Sequence, residues 1–208
     1  MVEKLCNSTM KVKTPPSVRL GRPPSSSADS HDAILSAVYE LLQEMSLRDL
    51  TMEKVAKRAG VGKPTLYRWW KTKSALVIAM FNERIVPEID APPAASFEES
   101  IRHKVLALIE AFNGFFGKVI AEIVAEGQSD PQVLSEFNEF YIKPRRAGTI
   151  EDIRLAQRQG QIPAHVDPEM VVDAVFGSLY YHLLLKLKPL TPEYGQRLIE
   201  HCRKLLEL

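Results

Sequence analysis

The chain has only two cysteines, Cys6 and Cys202, in 208 residues. They are too few for a disulfide scaffold and too far apart for a zinc-binding spacing, so both are expected to be free thiols in a reducing compartment. Long apolar runs are lacking as well. The longest, Met170 to Leu185, is interrupted by Asp173 and His182 and carries its polar residues at helical spacing, which reads as a packed helix and excludes a membrane span. The N-terminus bears Lys4, Lys11 and Lys13 without a hydrophobic segment to follow them, so no secretion signal is expected and the chain is assigned to the cytoplasm. Alternating strand patterns, internal repeats, a phosphate loop, a nucleophile motif and clustered metal-ligand spacings are all missing. These absences speak against an enzyme and against a metal or cofactor. His165, Asp167 and Glu169 lie close together, but their place before a helix makes Asp167 a cap rather than an acid–base group.

What is present is ordinary globular composition, 45% apolar and 25% charged. The net charge of +1 hides a division. Residues 1–74 carry 13 Lys and Arg against 7 Asp and Glu, whereas residues 75–208 carry 14 against 19. Seven bases (Lys54, Lys57, Arg58, Lys63, Arg68, Lys71, Lys73) crowd into residues 51–74 beside one acid, Glu53. A basic segment on an otherwise acidic chain suggests a local polyanion site, although charge runs more often form a solvated face.

Residues 1–28, with Pro15, Pro16, Pro23, Pro24 and three consecutive serines, read as a flexible, mildly basic arm. From Asp29 or Ser30 a helix is expected through Ile34, Leu35, Val38, Leu41, Leu42 and Met45. A short second helix follows Thr51 and ends at Gly60; a third runs from Lys63 to Trp70 with Pro64 in its first turn. A fourth begins near Ser74 and stops at Pro87. Residues 90–96 form a linker. Further helices are expected at 97–116, 117–127, 131–160 (kinked at Pro144), 167–187 and 192–206. The fold class is all-α: a small helix-turn-helix bundle at residues 29–86, then a larger helical bundle at 97–208.

Residues 51–73 carry the chemistry. Ala56 and Ala59 let two helices approach, Gly60 can take the left-handed conformation that ends the first, and Val61 can plug the angle between them. Leu66 and Trp70, four apart, share the inward face of the second helix, leaving Lys63, Thr65, Tyr67 and Arg68 on or near its outward face. Such residues suit phosphates and base edges.

Leu50-Thr51, Val55-Ala56, Ala59-Gly60-Val61, Pro64-Thr65-Leu66-Tyr67, Trp69-Trp70 and Lys73-Ser74-Ala75-Leu76 together resemble the TetR/AcrR family of transcriptional regulators. Pro144-Arg145-Arg146, Gly160 and His165-Val166-Asp167-Pro168-Glu169 extend the resemblance loosely into the second half. The resemblance implies a homodimeric repressor on a palindromic operator in double-stranded DNA, released by a small, largely apolar effector. It implies phosphate contacts from Thr51 and Lys73 and a groove-facing edge of Lys63, Pro64, Thr65 and Tyr67. Arg68, at a variable position, is the candidate for reading guanine. Trp69 has two readings, an indole N–H on phosphate or simple packing, and Glu53 can satisfy the helix N-terminus. Arg22 belongs either to a minor-groove arm or to a tail with incidental charge. The resemblance also implies an effector pocket, for which Phe112, Phe115, Phe116, Phe137, Phe140, Tyr141, Phe176 and Tyr180 are candidates, though aromatics at helical spacing equally make core. Dimerisation is expected through the last two long helices. The competing reading is a helical small-molecule binding protein that no longer binds DNA.

Overall fold

The computed structural model describes residues 28–89 and 96–205; Cys6, Arg22 and the rest of the N-terminal arm lie outside them. Among the described residues there is no strand. The N-terminal unit comprises α1 (Ala28–Glu44), α2 (Met52–Ala59), α3 (Lys63–Trp69) and α4 (Lys73–Arg84). A one-turn helix, α5 (Val86–Ile89), leads to α6 (Phe97–Asn113), α7 (Phe115–Gly127), α8 (Pro131–Phe137), α9 (Lys143–Arg158), α10 (Pro168–Leu185) and α11 (Pro192–Leu205). No helix among the described residues is long and apolar enough to cross a membrane.

Local chemistry sets most boundaries. Thr51, Thr72, Ser96, Asp130 and Asp167 each stand in extended backbone, and each side chain accepts from an amide of the following first turn. These are the orphan donors that every helix start must satisfy. Gly114, in an extended conformation, separates α6 from α7, dividing the helices three residues earlier than the apolar spacing suggests.

The expected single kink at Pro144 is instead a change of pitch just before it. Residues Asn138–Ile142 form a π-helical segment between α8 and α9, and Pro144 sits in the first turn of α9. Proline has no N–H to bond the carbonyl four residues back, here Phe140. That carbonyl accepts from Asn82 Nδ2 of α4 at 3.0 Å, so a helix of the N-terminal unit completes the hydrogen bonding of the C-terminal one.

α4 is the shared wall. Every residue from Ser74 to Phe81 is buried, against α1 on one side and against α8 and the π segment on the other. One apolar cluster consequently runs from Ile34 and Leu66 through Leu76 and Phe81 to Phe116, Ile123 and Phe137. α10 is different. Val172, Val175 and Leu179 face inward, while Met170 (63% exposed), Ala174, Gly177, Tyr181 (53% exposed), Leu184 and Leu185 lie uncovered at spacings of three and four. The outward side of α11 is polar, with Gln196, Arg197, Glu200 and His201 exposed, and its Cys202 is turned into the core.

Two glycines are structural for opposite reasons. Gly60 ends α2 at φ 66°, and a methyl group on its Cα would meet nothing within 4 Å, so only backbone strain opposes a side chain there. At Gly117 a Cβ would stand 2.0 Å from the Phe112 carbonyl oxygen, across the α6–α7 turn. Gly60→Ala should therefore cost about 1–2 kcal/mol. Gly117→Ala should cost about 3 kcal/mol or more. Thermal unfolding of the two variants checks the ranking, and equal midpoints would contradict it.

Candidate nucleic-acid interface

The helix-turn-helix is assembled from its buried side outward. Met52, Val55 and Ala56 anchor α2, and Leu66, wholly buried, anchors α3 with Trp70 behind it. Between the helices Gly60 is left-handed, the Val61 amide donates to Ala56 O at 3.0 Å, and Thr65 N donates to Gly62 O at 3.0 Å. With that side committed, α3 presents Lys63, Pro64, Tyr67 and Arg68 to solvent as one face, with Thr65 half-buried at its edge. Thr51 is exposed at the start of α2, its Oγ1 accepting from Lys54 N at 3.2 Å.

The charges around this face are unevenly committed. Arg58 is held by Glu40 and Glu44 of α1 at 3.2 and 2.7 Å, which lowers the Glu44 carboxyl and raises the guanidinium further. Lys54 and Lys71 donate to the carbonyls of Asp49 and Tyr67 at 2.7 and 2.8 Å, contacts that leave their charge uncancelled. Lys57 is exposed and, among the described residues, no carboxylate lies within ion-pair distance of it or of Arg68. Lys57 thus joins the contact candidates, and its only sequence signal was membership of the basic segment.

Two expectations change. Glu53 does not merely cap α2: it pairs with Lys63 at 2.6 Å, and that hydrogen bond, ahead of the helix-terminal amide, holds its carboxyl below the usual range. Lys73 is not a free phosphate clamp. Its ammonium donates to Leu47 O at 2.8 Å and pairs with Glu126 at 3.1 Å. Trp69 packs edge-on against His31 and Trp70, with ring centroids 5.2 and 5.3 Å away, and carries the Arg68 guanidinium at 5.9 Å. His31 is in turn bonded to Glu83 of α4 at 2.9 Å, so the end of α3 is tied through a ring stack to the shared wall.

The aromatic candidates of the C-terminal half divide. Phe112, Phe116, Phe137, Tyr141 and Tyr180 pack ring against ring at centroid distances of 5.0 to 6.0 Å, and burial pushes the Tyr180 hydroxyl well above its ordinary pKa. Phe140 and Phe176 are half-buried against the same core. Phe115 and Phe116 border a cleft of about 580 Å³, with Tyr39 of α1, Arg84 at the end of α4, Ile85 just beyond it, and Glu110 and Ala111 of α6. The cleft is open to solvent and mixed in lining.

Residues 34–80 match the model of bacterial regulatory proteins of the tetR family, and residues 91–202 match the tetracyclin repressor-like C-terminal domain. The chain belongs to the TetR family of helix-turn-helix transcriptional regulators. It is 29% identical over 175 residues to the regulator YdeS of Bacillus subtilis (strain 168), covering 84% of this chain and 88% of that one. It is 26% identical over 180 residues to the regulator Rv1556 of Mycobacterium tuberculosis (strain H37Rv), covering 85% and 87%. Among solved structures, the TetR family regulator SCO0332 superposes with a TM-score of 0.75 at 28% identity over 86% of this chain and 97% of that chain. FadR from Bacillus subtilis, in complex with stearoyl-CoA, has the same fold, with a TM-score of 0.65 at 19% identity over 83% and 97%.

The Lys63–Glu53 pair makes a signed prediction. Glu53→Gln releases an ammonium on the recognition face, so DNA affinity should rise and the salt slope steepen by about one counterion. Because the Glu53 pKa is depressed in the folded protein, the pair is complete above the ordinary carboxylate range and is lost as pH falls through the folded value. Wild type should therefore approach the variant only under acid conditions. Anisotropy titrations at several salt concentrations check this, and equal slopes at neutral pH would contradict it.

Proposed function

We propose that this protein is a homodimeric, cytoplasmic repressor that binds a palindromic operator through α3 and is released by a small, largely apolar effector. The observation carrying the reading is the division of α3: Leu66 is wholly buried while Lys63, Pro64, Tyr67 and Arg68 stand together in solvent. A recognition helix needs such an anchored back and a polar, basic front. Thr51 at the start of α2, Thr65 at the edge of α3 and the Arg22 arm are assigned to the same DNA surface, with Arg68 reading a guanine.

The dimer is assigned to α10. Its uncovered stripe from Met170 to Leu185 is apolar at helical spacing, a face that two copies bury by packing together about a two-fold axis. The polar outward side of α11 supports a contribution at the rim rather than at the centre. Two copies so joined present two α3 helices, which a palindrome spaced by one helical turn accommodates.

The effector reading rests on the cleft beside Phe115 and Phe116, mixed in lining but bordered by aromatic rings. A ligand there releases DNA only by its higher affinity for a subunit arrangement whose recognition helices no longer match adjacent grooves. The flavonoid-responsive regulator FrrA and the stearoyl-CoA complex of FadR are ligand-linked proteins of this fold, which supports the class of mechanism. The relatives are transcription regulators, and the reading includes no catalytic step.

Selecting bound fragments from genomic DNA should return a palindrome, and Arg68→Ala should weaken binding to it by about 1–3 kcal/mol and relax one base-pair preference. Retention of full affinity and preference by that variant, or failure of wild type to enrich any duplex, would overturn the reading in favour of a binding protein without DNA function. In sedimentation, Tyr181→Glu combined with Leu184→Glu should convert dimer to monomer; an unchanged dimer would exclude α10 as its centre.

A further inference from the structure

The α1–α2 turn is held from outside its own domain. Leu47 is buried at 1% exposure, and its amide donates to Glu122 Oε2 of α7 at 2.7 Å. Its carbonyl accepts from Lys73 Nζ at 2.8 Å, and Lys73 pairs with Glu126 of α7 at 3.1 Å. Leu47, in the turn that leads into the helix-turn-helix, is therefore held at both its amide and its carbonyl: directly by Glu122, and through Lys73 by Glu126, carboxylates one turn apart on α7. A turn earlier, Lys118 lies 3.4 Å from the carbonyls of Leu42 and Met45, at the end of α1. The last turn of α1 holds no basic residue, so α7 supplies the cation that its C-terminal dipole favours. Lys118, Glu122 and Glu126 are spaced i, i+4, i+8 and form one stripe on α7.

The second grip comes from α8. Glu136 Oε2 accepts from the hydroxyls of Thr72 at 2.7 Å and Ser74 at 2.5 Å, where the loop after α3 enters the shared wall. Ser74 is buried, and the carboxylate is the nearer acceptor for its hydroxyl, whose other neighbour is Thr72 Oγ1 at 3.3 Å. None of these glutamates belongs to the DNA-binding unit, yet each bonds a group that fixes where α2 and α3 sit.

We infer that Glu122, Glu126 and Glu136 are positioning residues: a carboxylate clamp through which the C-terminal domain sets the orientation of the helix-turn-helix. Loosening the clamp leaves each recognition helix intact but lets the two helices of the dimer lose their common register. The inference rests on the regulator reading above and adds to it the groups that transmit the effector state. Glu126 also fixes the fate of Lys73, whose ammonium stays with the protein while the clamp is closed.

The test uses the full-length dimer and the palindrome selected from genomic DNA. Glu122→Ala and Glu136→Ala should each lower affinity for the palindrome by about tenfold, the loss of one buried hydrogen-bond partner. Affinity for an isolated half-site should stay within about twofold, and the salt slope should not change, since no phosphate contact is removed. Glu122→Gln and Glu136→Gln, which keep an accepting oxygen, should restore palindrome affinity. Equal losses on half-site and palindrome would show simple damage to the helix-turn-helix and overturn the inference, as would no loss at all. If wild type selects no duplex, the regulator reading fails by itself, and the clamp is judged by amide hydrogen exchange at Leu47. Exchange there should quicken about tenfold in Glu122→Ala and return in Glu122→Gln; an unchanged rate would overturn it.

Discussion

The complete burial of α4 from Ser74 to Phe81 is the constraint on which the rest of the molecule depends. A helix that is apolar on every side has no surface along which it can slide or turn independently. From Ser74 to Phe81 it fills the space between α1 and the α8–π segment, so the small unit and the large one share a single packed core. Close-packed interiors do not deform gradually; they move as blocks between discrete arrangements. A displacement of the C-terminal helices would therefore be carried to α3 by α4 and α1 as packed blocks, without any need for α3 itself to unfold.

Polar groups settle the ends of this helix where packing alone would leave it free. At the start, Thr72 and Ser74 bond Glu136; near the end, Asn82 supplies the hydrogen bond that Pro144 cannot give to Phe140, and Arg145 holds the Asn82 oxygen at 3.3 Å. Arg145 is itself seated on the Tyr141 ring at 4.1 Å. The cleft beside Phe115 opens at the C-terminal end of α4 and the N-terminal end of α7. Those two helices are also the ones that meet at Lys73 and Glu126. An effector in that cleft would touch the ends of α4 and α7 opposite to those joined by Lys73 and Glu126.

Much of the fold was legible because local signals agreed. Thr51, Gly60 and Pro64 announce a cap, a left-handed stop and a helix start within fourteen residues, and Leu66 and Trp70 mark the buried side of α3. Asp167 likewise declares its cap, accepting from Glu169 N at 2.9 Å. The π segment was not legible, because proline marks where a hydrogen bond is missing but not how the preceding turn repairs it. The partners of charged residues were hidden for a related reason. Lys73 and Glu126 are 53 positions apart, and Lys63 and Glu53 are joined across a turn, so neither pair follows from helical spacing. The aromatic residues show the opposite limit: spacing placed them inside but could not separate the rings that fill the core from Phe115 at the cleft.

The central claim is that two copies of α3 enter successive major grooves on one face of a duplex. Footprinting of the wild-type protein on its selected DNA measures this most directly. The account predicts two protected major-groove patches on the same face, separated by about 34–36 Å or a multiple of that helical repeat. A single patch, protection confined to the minor groove, or patches on opposite faces would contradict it.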